Sequence, residues 1–140
     1  MPSSTCLATV HPKGRAHVRP VLTVWVDRGL HTTTNPAARK GRNIAADPRC
    51  AVSVSTEGLD VVVEGTAARV TDEAGLRRVA DAYGTKYEWP VTIEDGAFDA
   101  PYGAPTAGPP PYLVYRVTPS MVFGFGTDEK LGPRSTRWRF

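Results

Sequence analysis

The chain has 140 residues, a hydrophobic fraction of 41% and a formal net charge of +3. This length and composition favour one globular domain, residues 1–140, with a buried core. No apolar run approaches the roughly 20 residues of a membrane span, and the small positive charge suits an acidic small molecule without requiring nucleic acid. We therefore expect neither a membrane nor a nucleic-acid partner.

The chain is predicted to begin with three strands. Residues 5–10 and 16–26 are typical of two strands joined by the turn 11–15, which contains Pro and Gly, and residues 30–34 are typical of a third strand. Pro20 has no N–H group to donate, so it indicates an edge or a bulge in the second strand.

A short helix is predicted next, over residues 36–46. Asn35 is a favourable N-cap, Pro36 suits the first helical position, and Pro48 disfavours helical geometry just after the helix. The residues 32–34 before it are three threonines, whose β-branched side chains suit a strand and whose hydroxyls are hydrogen-bond donors.

Three cations, Arg39, Lys40 and Arg42, lie in the first two turns of this helix. The helix dipole disfavours cations there by roughly 0.3–1 kcal/mol each, and a bound anion reverses that sign. One interpretation is therefore a phosphate-bearing ligand at the junction between strand and helix. The other is a solvated basic surface, and it divides the helix into a buried face (Ala37, Gly41, Ile44 and Ala45) and a wet face (Arg39, Arg42 and Asn43). The helix by itself leaves both interpretations open.

Two more strands and a second helix follow. Alternating apolar residues predict strands at 50–56 and 60–70, and Gly65 predicts a bulge or a close approach of a ligand or another backbone. An apolar stripe predicts a helix over residues 72–83, with Thr71 as its cap and Gly84 as its stop.

The last third of the chain is irregular at first. Residues 89–111 contain six prolines and predict a long loop, which is either a functional lid or an inert surface segment. Residues 112–118 and 121–126 predict two strands separated by Pro119 and Ser120. The tail 127–140 ends in Arg137-Trp138-Arg139-Phe140, so we expect it to dock on its own core, on a partner subunit or on a ligand.

These elements predict a mainly β, β-rich α+β fold: a small antiparallel barrel of six to seven strands with two short helices. Known catalytic motifs and metal-ligand spacings are absent from the sequence, so no catalytic residue and no metal site is predicted. An enzyme without its own acid–base residues commonly uses a cofactor. Cys6 and Cys50 lie in apolar runs without a CxxC pattern, and the N-terminus lacks a signal-peptide pattern, which favours buried thiols in a reducing, cytoplasmic compartment.

The order of these elements resembles the flavin- and deazaflavin-dependent split β-barrel family related to pyridoxamine 5′-phosphate oxidase. The resemblance rests on LATVHPKGRAHVRPV as a first hairpin, on TTTNPAARKGRNIAADPRCAVSV as strand, helix and strand, on VVVEGTAARVTDE as the fifth strand, and on the terminal STRWRF. Family members often carry a helix before the first strand, and residues 1–4 leave no room for one.

The resemblance implies a homodimer with the cofactor in the groove between subunits. It implies a short-chain branch that uses coenzyme F420 rather than FMN, and pyridoxamine phosphate oxidase activity itself is not expected because that enzyme's substrate arginines are not identified. Carried over to this sequence, the cofactor-binding residues are Thr33, Thr34, Lys40, Asn43 and Arg42 at the phosphate, Pro20 and Val21 near the ring, and Arg137 and Trp138 in the same groove, from either subunit.

The leading hypothesis is an oxidoreductase that passes a hydride from reduced coenzyme F420 to an unsaturated small-molecule acceptor. The alternatives are an FMN-binding oxidoreductase on the same fold, a non-catalytic carrier of such a cofactor or of a tetrapyrrole, and a plain dimeric β-domain whose basic helix is only solvated.

Overall fold

The architecture comes from a computed structural model, which describes residues 4–104, 108–127 and 134–140. Over these residues it contains ten strands and two helices. In chain order they are β1 (Ser4–Val10), β2 (Ala16–Pro20), β3 (Val24–Val26), β4 (Gly29–Thr34), α1 (Arg39–Ala46), β5 (Arg49–Thr56), β6 (Leu59–Val70), α2 (Glu73–Tyr87), β7 (Thr92–Glu94), β8 (Ala97–Asp99), β9 (Leu113–Gly126) and β10 (Ser135–Arg139).

Eight strands form one antiparallel sheet in the order β2-β1-β5-β6-β9-β4-β3, with β10 also paired to β9. The two ends of this order, β2 and β3, are joined by only three residues, 21–23. Because so short a linker cannot span a flat sheet, the sheet must curl back on itself as a barrel that is split between β2 and β3. The predicted mainly β antiparallel barrel with two helices is confirmed, and Pro20 closes the edge strand β2, as its missing donor indicated.

Two hydrophobic cores lie on opposite sides of this sheet. The inner core fills the barrel and includes Leu7, Val52, Val63 and Val117, with Ile44 of α1 closing one end. The second core lies between α2, β3, β9 and the segment 89–112, and it is built of Val24, Leu76, Val79, Tyr83, Trp89, Phe98, Tyr112 and Val114. Strand β4 separates the two cores and is buried along its whole length.

The pairing of β6 with β9 shifts register between Glu64 and Gly65, where Gly65 faces Pro119. A Cβ added at Gly65 would overlap the backbone carbonyl of Thr118. The predicted bulge or close backbone approach at Gly65 is therefore confirmed. The shift also lets β9 continue through Pro119 as one strand, so the predicted break into two strands was wrong.

Both helices differ from their predicted bounds. Helix α1 begins at Arg39, because Asn35 and Pro36 form a turn in which the Asn35 Oδ1 accepts the Ala37 N–H at 2.7 Å, and Ala38 is the N-cap. Helix α2 continues through Gly84 to Tyr87, and the left-handed residue Glu88 is its C-cap. Its N-cap is Asp72, whose carboxylate accepts the Gly75 N–H at 2.8 Å, and not Thr71.

Three segments gained or lost strand structure relative to the prediction. The second strand is interrupted at residues 21–23, and the predicted loop 89–111 contains the hairpin β7–β8 with an Asp95-Gly96 turn at positive φ. Aromatic side chains anchor this loop, since the Trp89 indole donates to the Tyr102 carbonyl at 2.8 Å. The tail forms β10 on β9, although residues 128–133 of the tail and Pro105 of the loop lie outside the described residues.

Cys6 and Cys50 are free thiols, both partly buried, and burial raises the pKa of the Cys50 thiol to about 11. Neither of the two helices in the described ranges has the length and apolar character needed to cross a lipid bilayer.

The close approach of β6 and β9 at Gly65 predicts how a substitution there changes the stability of the fold. Gly65→Ala forces β6 and β9 apart, so we expect it to lower the free energy of unfolding by about 2–3 kcal/mol or more. Gly84→Ala is the matched control: a Cβ there meets no atom of the described residues within 4 Å, and a mid-helix glycine costs about 0.5–1 kcal/mol relative to alanine. Urea unfolding of both variants measures the difference, and equal stability of the two would contradict the assigned register.

Candidate functional site

Helix α1 lies across the inner end of the barrel, tight against the turn that precedes it. A Cβ added at Gly41 would overlap the Asn35 carbonyl oxygen and would lie 3.2 Å from Thr34 Cγ2. Asn35 is held in turn by its Nδ2, which donates to the Pro109 carbonyl at 2.6 Å. The junction between β4 and α1 is therefore a fixed backbone corner and not a loose loop.

Two polar side chains of α1 are buried beneath it. Lys40 is 2% exposed and Asn43 is 0% exposed, and the Asn43 Nδ2 donates to Thr9 Oγ1 of β1 at 3.1 Å. The division of α1 into a buried and a wet face was therefore wrong in part, because Asn43 faces inward while Ala37 and Ala45 are exposed. The helix presents the amide of Asn43 to the barrel because Thr9 of β1 offers it a polar partner there.

The charge of Lys40 is kept at an energetic cost. Burial lowers the pKa of the Lys40 ammonium to about 8, and the nearby charge of Arg19 on β2 lowers it further in the same direction. Burial also lowers the pKa of His11 and of His17, and surrounding cations add to both shifts. The cations that act on these three groups are Arg15, Arg19, Arg39, Lys40 and Arg42.

Two buried polar atoms at this place lack a hydrogen-bond partner among the described residues, the Asn43 Oδ1 and the His17 Nδ1. Both adjoin Thr9, since Thr9 is paired with His17 across β1 and β2 and its hydroxyl accepts the Asn43 amide. Buried polar atoms are nearly always satisfied in folded proteins. The unsatisfied pair therefore fits a ligand that brings polar groups of its own, such as hydroxyls, beside an anionic group.

The site thus combines cations that repel one another with polar groups that lack partners. A tetrahedral anion such as phosphate would relieve the repulsion and accept charge-assisted hydrogen bonds from Lys40 and Arg19. The start of α1 favours an anion in the same direction through its dipole. The donor set therefore fits a phosphate-bearing ligand whose remaining part carries polar groups.

The structure divides the other expected phosphate-side residues between two faces. Thr34 is buried on the barrel side of β4, where its hydroxyl donates to the Asn35 carbonyl at 3.1 Å. Thr33 alternates to the other side of β4 and is paired with Val114, which belongs to the second core under α2. Arg42 is exposed on α1. The structure therefore places Thr34 against Gly41 of α1, the helix that buries Lys40 and Asn43, with Arg42 on the solvent side and Thr33 behind the strand.

The expected ring-side residues follow directly after Arg19. Val21 is 6% exposed, belongs to the inner core and donates its N–H to the Thr5 carbonyl at 3.0 Å. Pro20 is exposed on the outer face of the sheet. It lies at the end of one transverse row of paired residues, which runs Pro20, Cys6, Ser53, Val62, Phe123 and Arg137.

Arg137 and Trp138 are not close to Lys40 within one chain. β10 pairs with residues 121–125 of β9, whereas Thr34 pairs with Leu113, so about ten residues of β9, roughly 30 Å of extended strand, separate them. Arg137 lies on the outer face, and Trp138, 49% exposed, alternates to the inner side and covers Gly124.

Arg19, His17 and Thr9 were missed by the sequence reasoning. The signal that was available is the period of two in β1 and β2, because Thr9, His17 and Arg19 share the inner face in the observed register. Strand alternation could have placed them together, but only the packing of α1 on this face brings Lys40 to them.

Known proteins resemble this chain in sequence and in fold. A family model described as pyridoxamine 5′-phosphate oxidase matches residues 1–125. A pyridoxine/pyridoxamine 5′-phosphate oxidase of Burkholderia multivorans is 33% identical, over 95% of this chain and 71% of the relative. A solved F420 reductase is 25% identical with a TM-score of 0.58, over 86% of this chain and 89% of that one. A heme binding protein from Mycobacterium smegmatis, 18% identical with a TM-score of 0.67 over 98% and 52% of the two chains, shares the fold.

The buried ammonium predicts a pH dependence of anion binding. Sulfate is a suitable probe because it does not titrate in this range. Lys40 is charged below its pKa of about 8 and neutral above it, whereas His11 and His17, with pKa values lowered from 6.5, are already neutral above pH 7. Sulfate affinity should therefore fall by about tenfold between pH 7 and 9 through Lys40. Isothermal titration at several pH values measures this.

The variant Lys40→Met should bind sulfate roughly tenfold more weakly at pH 7 and show little change with pH, because the titrating group is gone. It should also be more stable than the parent without ligand, since it no longer buries a charge. Lys13→Met, at an exposed lysine of the β1–β2 turn, is the matched control. A pH profile shared by the Lys40 variant and the parent would refute the assignment.

Proposed function

The chain belongs to the pyridoxamine 5′-phosphate oxidase family, and we propose that within it the protein is an oxidoreductase that uses reduced coenzyme F420 to reduce an unsaturated organic acceptor. The observation that carries this proposal is the buried Lys40, whose lowered pKa reflects a charge kept out of water beside Arg19. Such a charge is costly in the free protein and useful when an anion arrives.

The phosphate of the cofactor is proposed to bind between Lys40 and Arg19, at the beginning of α1. Thr34 and Asn43 line the same corner, and the unsatisfied Asn43 Oδ1 and His17 Nδ1 are available to hydroxyl groups of the cofactor chain. Pro20 and Val21, which follow Arg19 directly, are proposed to lie beside the ring system. When bound, reduced coenzyme F420 supplies a hydride, and the chain's own residues bind it, orient it and exclude water.

The choice of coenzyme F420 over FMN is supported by the amount of positive charge. FMN carries one phosphate, whereas coenzyme F420 carries its phosphate within a longer tail that ends in glutamates. Arg19 acts on the buried Lys40, and Arg15, Arg39 and Arg42 act on His11, so several arginines lie within electrostatic reach of this region. One phosphate does not need them all, and a tail with several carboxylates does. The similarity to a solved F420 reductase points the same way.

The outer face of the sheet supports a homodimer. We define this face by the row from Pro20 to Arg137 and by the parallel row Val18, Ala8, Ala51, Glu64 and Met121. Small and apolar side chains dominate both rows, and Val18 is 50% exposed. An apolar sheet face of this kind is typically covered by a partner. Twofold packing of this face would bring Arg137 of one subunit towards Pro20 of the other, which a single chain keeps apart.

The cofactor assignment predicts the outcome of paired fluorescence titrations with coenzyme F420 and FMN at low and high ionic strength. We expect coenzyme F420 to bind more tightly, and salt to weaken it more steeply, because more ion pairs are screened. Arg19→Gln should weaken coenzyme F420 binding by about tenfold, from lost charge-assisted hydrogen bonds. Arg28→Gln, at an exposed arginine of the β3–β4 turn, should not.

The alternatives have distinct outcomes in the same experiment. Tighter FMN binding at both ionic strengths would replace the deazaflavin by FMN on the same site. Tight coenzyme F420 binding without oxidation of its reduced form by any of a panel of quinones and enones, followed by absorbance, would leave a cofactor carrier. Binding of neither cofactor would leave a β-domain with a solvated basic helix.

The homodimer predicts a mass of roughly 30 kDa in sedimentation, twice the 15.1 kDa of the chain. Phe123→Asp places a charge in the middle of the outer face and should shift the equilibrium to monomer and weaken cofactor binding together. Trp25→Asp is the control, because Trp25 is 60% exposed but lies on β3, outside this face. A parent protein that sediments as a monomer at micromolar concentration would remove the shared groove.

A further inference from the structure

The split in the barrel leaves backbone groups of residues 21–23 without a neighbouring strand. On the upstream side, Val21 still donates its N–H to Thr5 of β1 at 3.0 Å. Beyond it, the Leu22 carbonyl and both the N–H and the carbonyl of Thr23 bond to side chains. Most of these side chains come from the last two turns of α2.

Tyr87 takes the place of a strand partner for Thr23. Its hydroxyl donates to the Thr23 carbonyl at 2.8 Å and accepts the Thr23 N–H at 3.2 Å. Lys86 donates to the same carbonyl at 3.0 Å, and its ammonium lies 5.1 Å from the centre of the Tyr87 ring. One residue earlier, the Tyr83 hydroxyl donates to the Leu22 carbonyl at 2.9 Å.

These bonds hold a short segment that lies outside the strand ladders, where the Thr32 hydroxyl of β4 also donates to the Leu22 carbonyl at 3.4 Å. Thr23 is 3% exposed, so its N–H would be buried without a partner if the Tyr87 hydroxyl were absent, and such a loss is costly. The pairing of β1 with β2 and the bond from the Val21 N–H to Thr5 fix the backbone up to Val21, and β3 pairs with β4 from Val24 onward. The bonds from α2 therefore hold the two residues between these ladders, Leu22 and Thr23, which directly follow Pro20 and Val21.

We propose that Tyr87 and Lys86 are positioning residues for cofactor binding, which act by clamping the backbone at Thr23. The clamp holds the direction in which the chain leaves Arg19, and Arg19 in turn acts directly on Lys40. The ring-side residues Pro20 and Val21 directly precede the clamped residues at the end of the β1 ladder, so the path of the chain at Thr23 bears on them first. This inference rests on the proposed function, because it assigns the clamp to the same cofactor site.

The clamp explains why α2 extends beyond the predicted stop at Gly84. Lys86 and Tyr87 lie after that glycine, in the last turn of the helix. A helix that ended at Gly84 would keep the second core, through Leu76, Val79 and Tyr83, but would not reach Thr23. The final turn therefore serves the split in the barrel more than it serves the core.

The test uses the full chain and two matched variants, Tyr87→Phe and Tyr102→Phe. Each loses one hydroxyl that donates to a backbone carbonyl, and the Tyr102 bond, to Glu88 at 3.1 Å, involves none of residues 19–23. In Tyr87→Phe we expect amide exchange at Thr23 to accelerate by about tenfold or more and the dissociation constant for coenzyme F420 to rise about five- to tenfold. The fluorescence spectrum of the bound cofactor should shift, since its ring surroundings change. Tyr102→Phe should leave all three unchanged.

Lys86→Met supplies a second variant, because Lys86 is exposed and the change keeps its aliphatic stem. It should raise the dissociation constant in the same direction and by a smaller factor. A Tyr87→Phe protein that exchanges faster at Thr23 but binds coenzyme F420 with the affinity and spectrum of the parent would overturn the positioning role and leave the proposed function intact. A parent protein that binds neither coenzyme F420 nor FMN would overturn both.

Discussion

The pairing of β6 with β9 is the constraint on which the rest of the fold depends. These two long strands run side by side from Leu59 to Val70, and the register shift at Gly65 bends them at the middle. On its other edge β9 pairs first with β4 and then with β10. The bend lies opposite Pro119, between the part of β9 that pairs with β4 and the part that pairs with β10, so it marks where the sheet turns away from β4.

The candidate anion site at the start of α1 forms where this helix packs against the curved sheet. Once the barrel is curved, its end between β4 and β1 is open, and α1 fills it with Ile44 pointing into the core and Lys40 and Asn43 against β1 and β2. A hydrophobic helix face would have filled the same space at a lower cost. That the chain instead places an ammonium there, beside Arg19, is the physical argument for a bound anion.

Much of the fold could be predicted from the sequence, and the wrong or missing predictions share one cause. The alternation of apolar and polar residues predicted most strands, and Gly65, which has no side chain, predicted the bulge. Both signals lie within one short segment of the sequence. The burial of Lys40 and Asn43 could not be predicted from neighbouring residues. It depends on the approach of α1 to β2, which lies about twenty residues earlier in the chain. Likewise Asn35 and Pro36 have the chemistry of a helix start, yet the close contact of Gly41 with the Asn35 carbonyl turns them into a separate corner. Arg19 was passed over because its neighbours in space are distant in sequence.

The last strand has a consequence for solubility. β10 pairs with β9 on one side only, and in the described part of the chain its other edge has no partner strand. Such an edge is a template on which a strand of another chain can add. All five residues of β10 are exposed, and two of them are arginines. A second copy that approached this edge would have to bring like charges together, so Arg137 and Arg139 oppose edge-to-edge association of the protein.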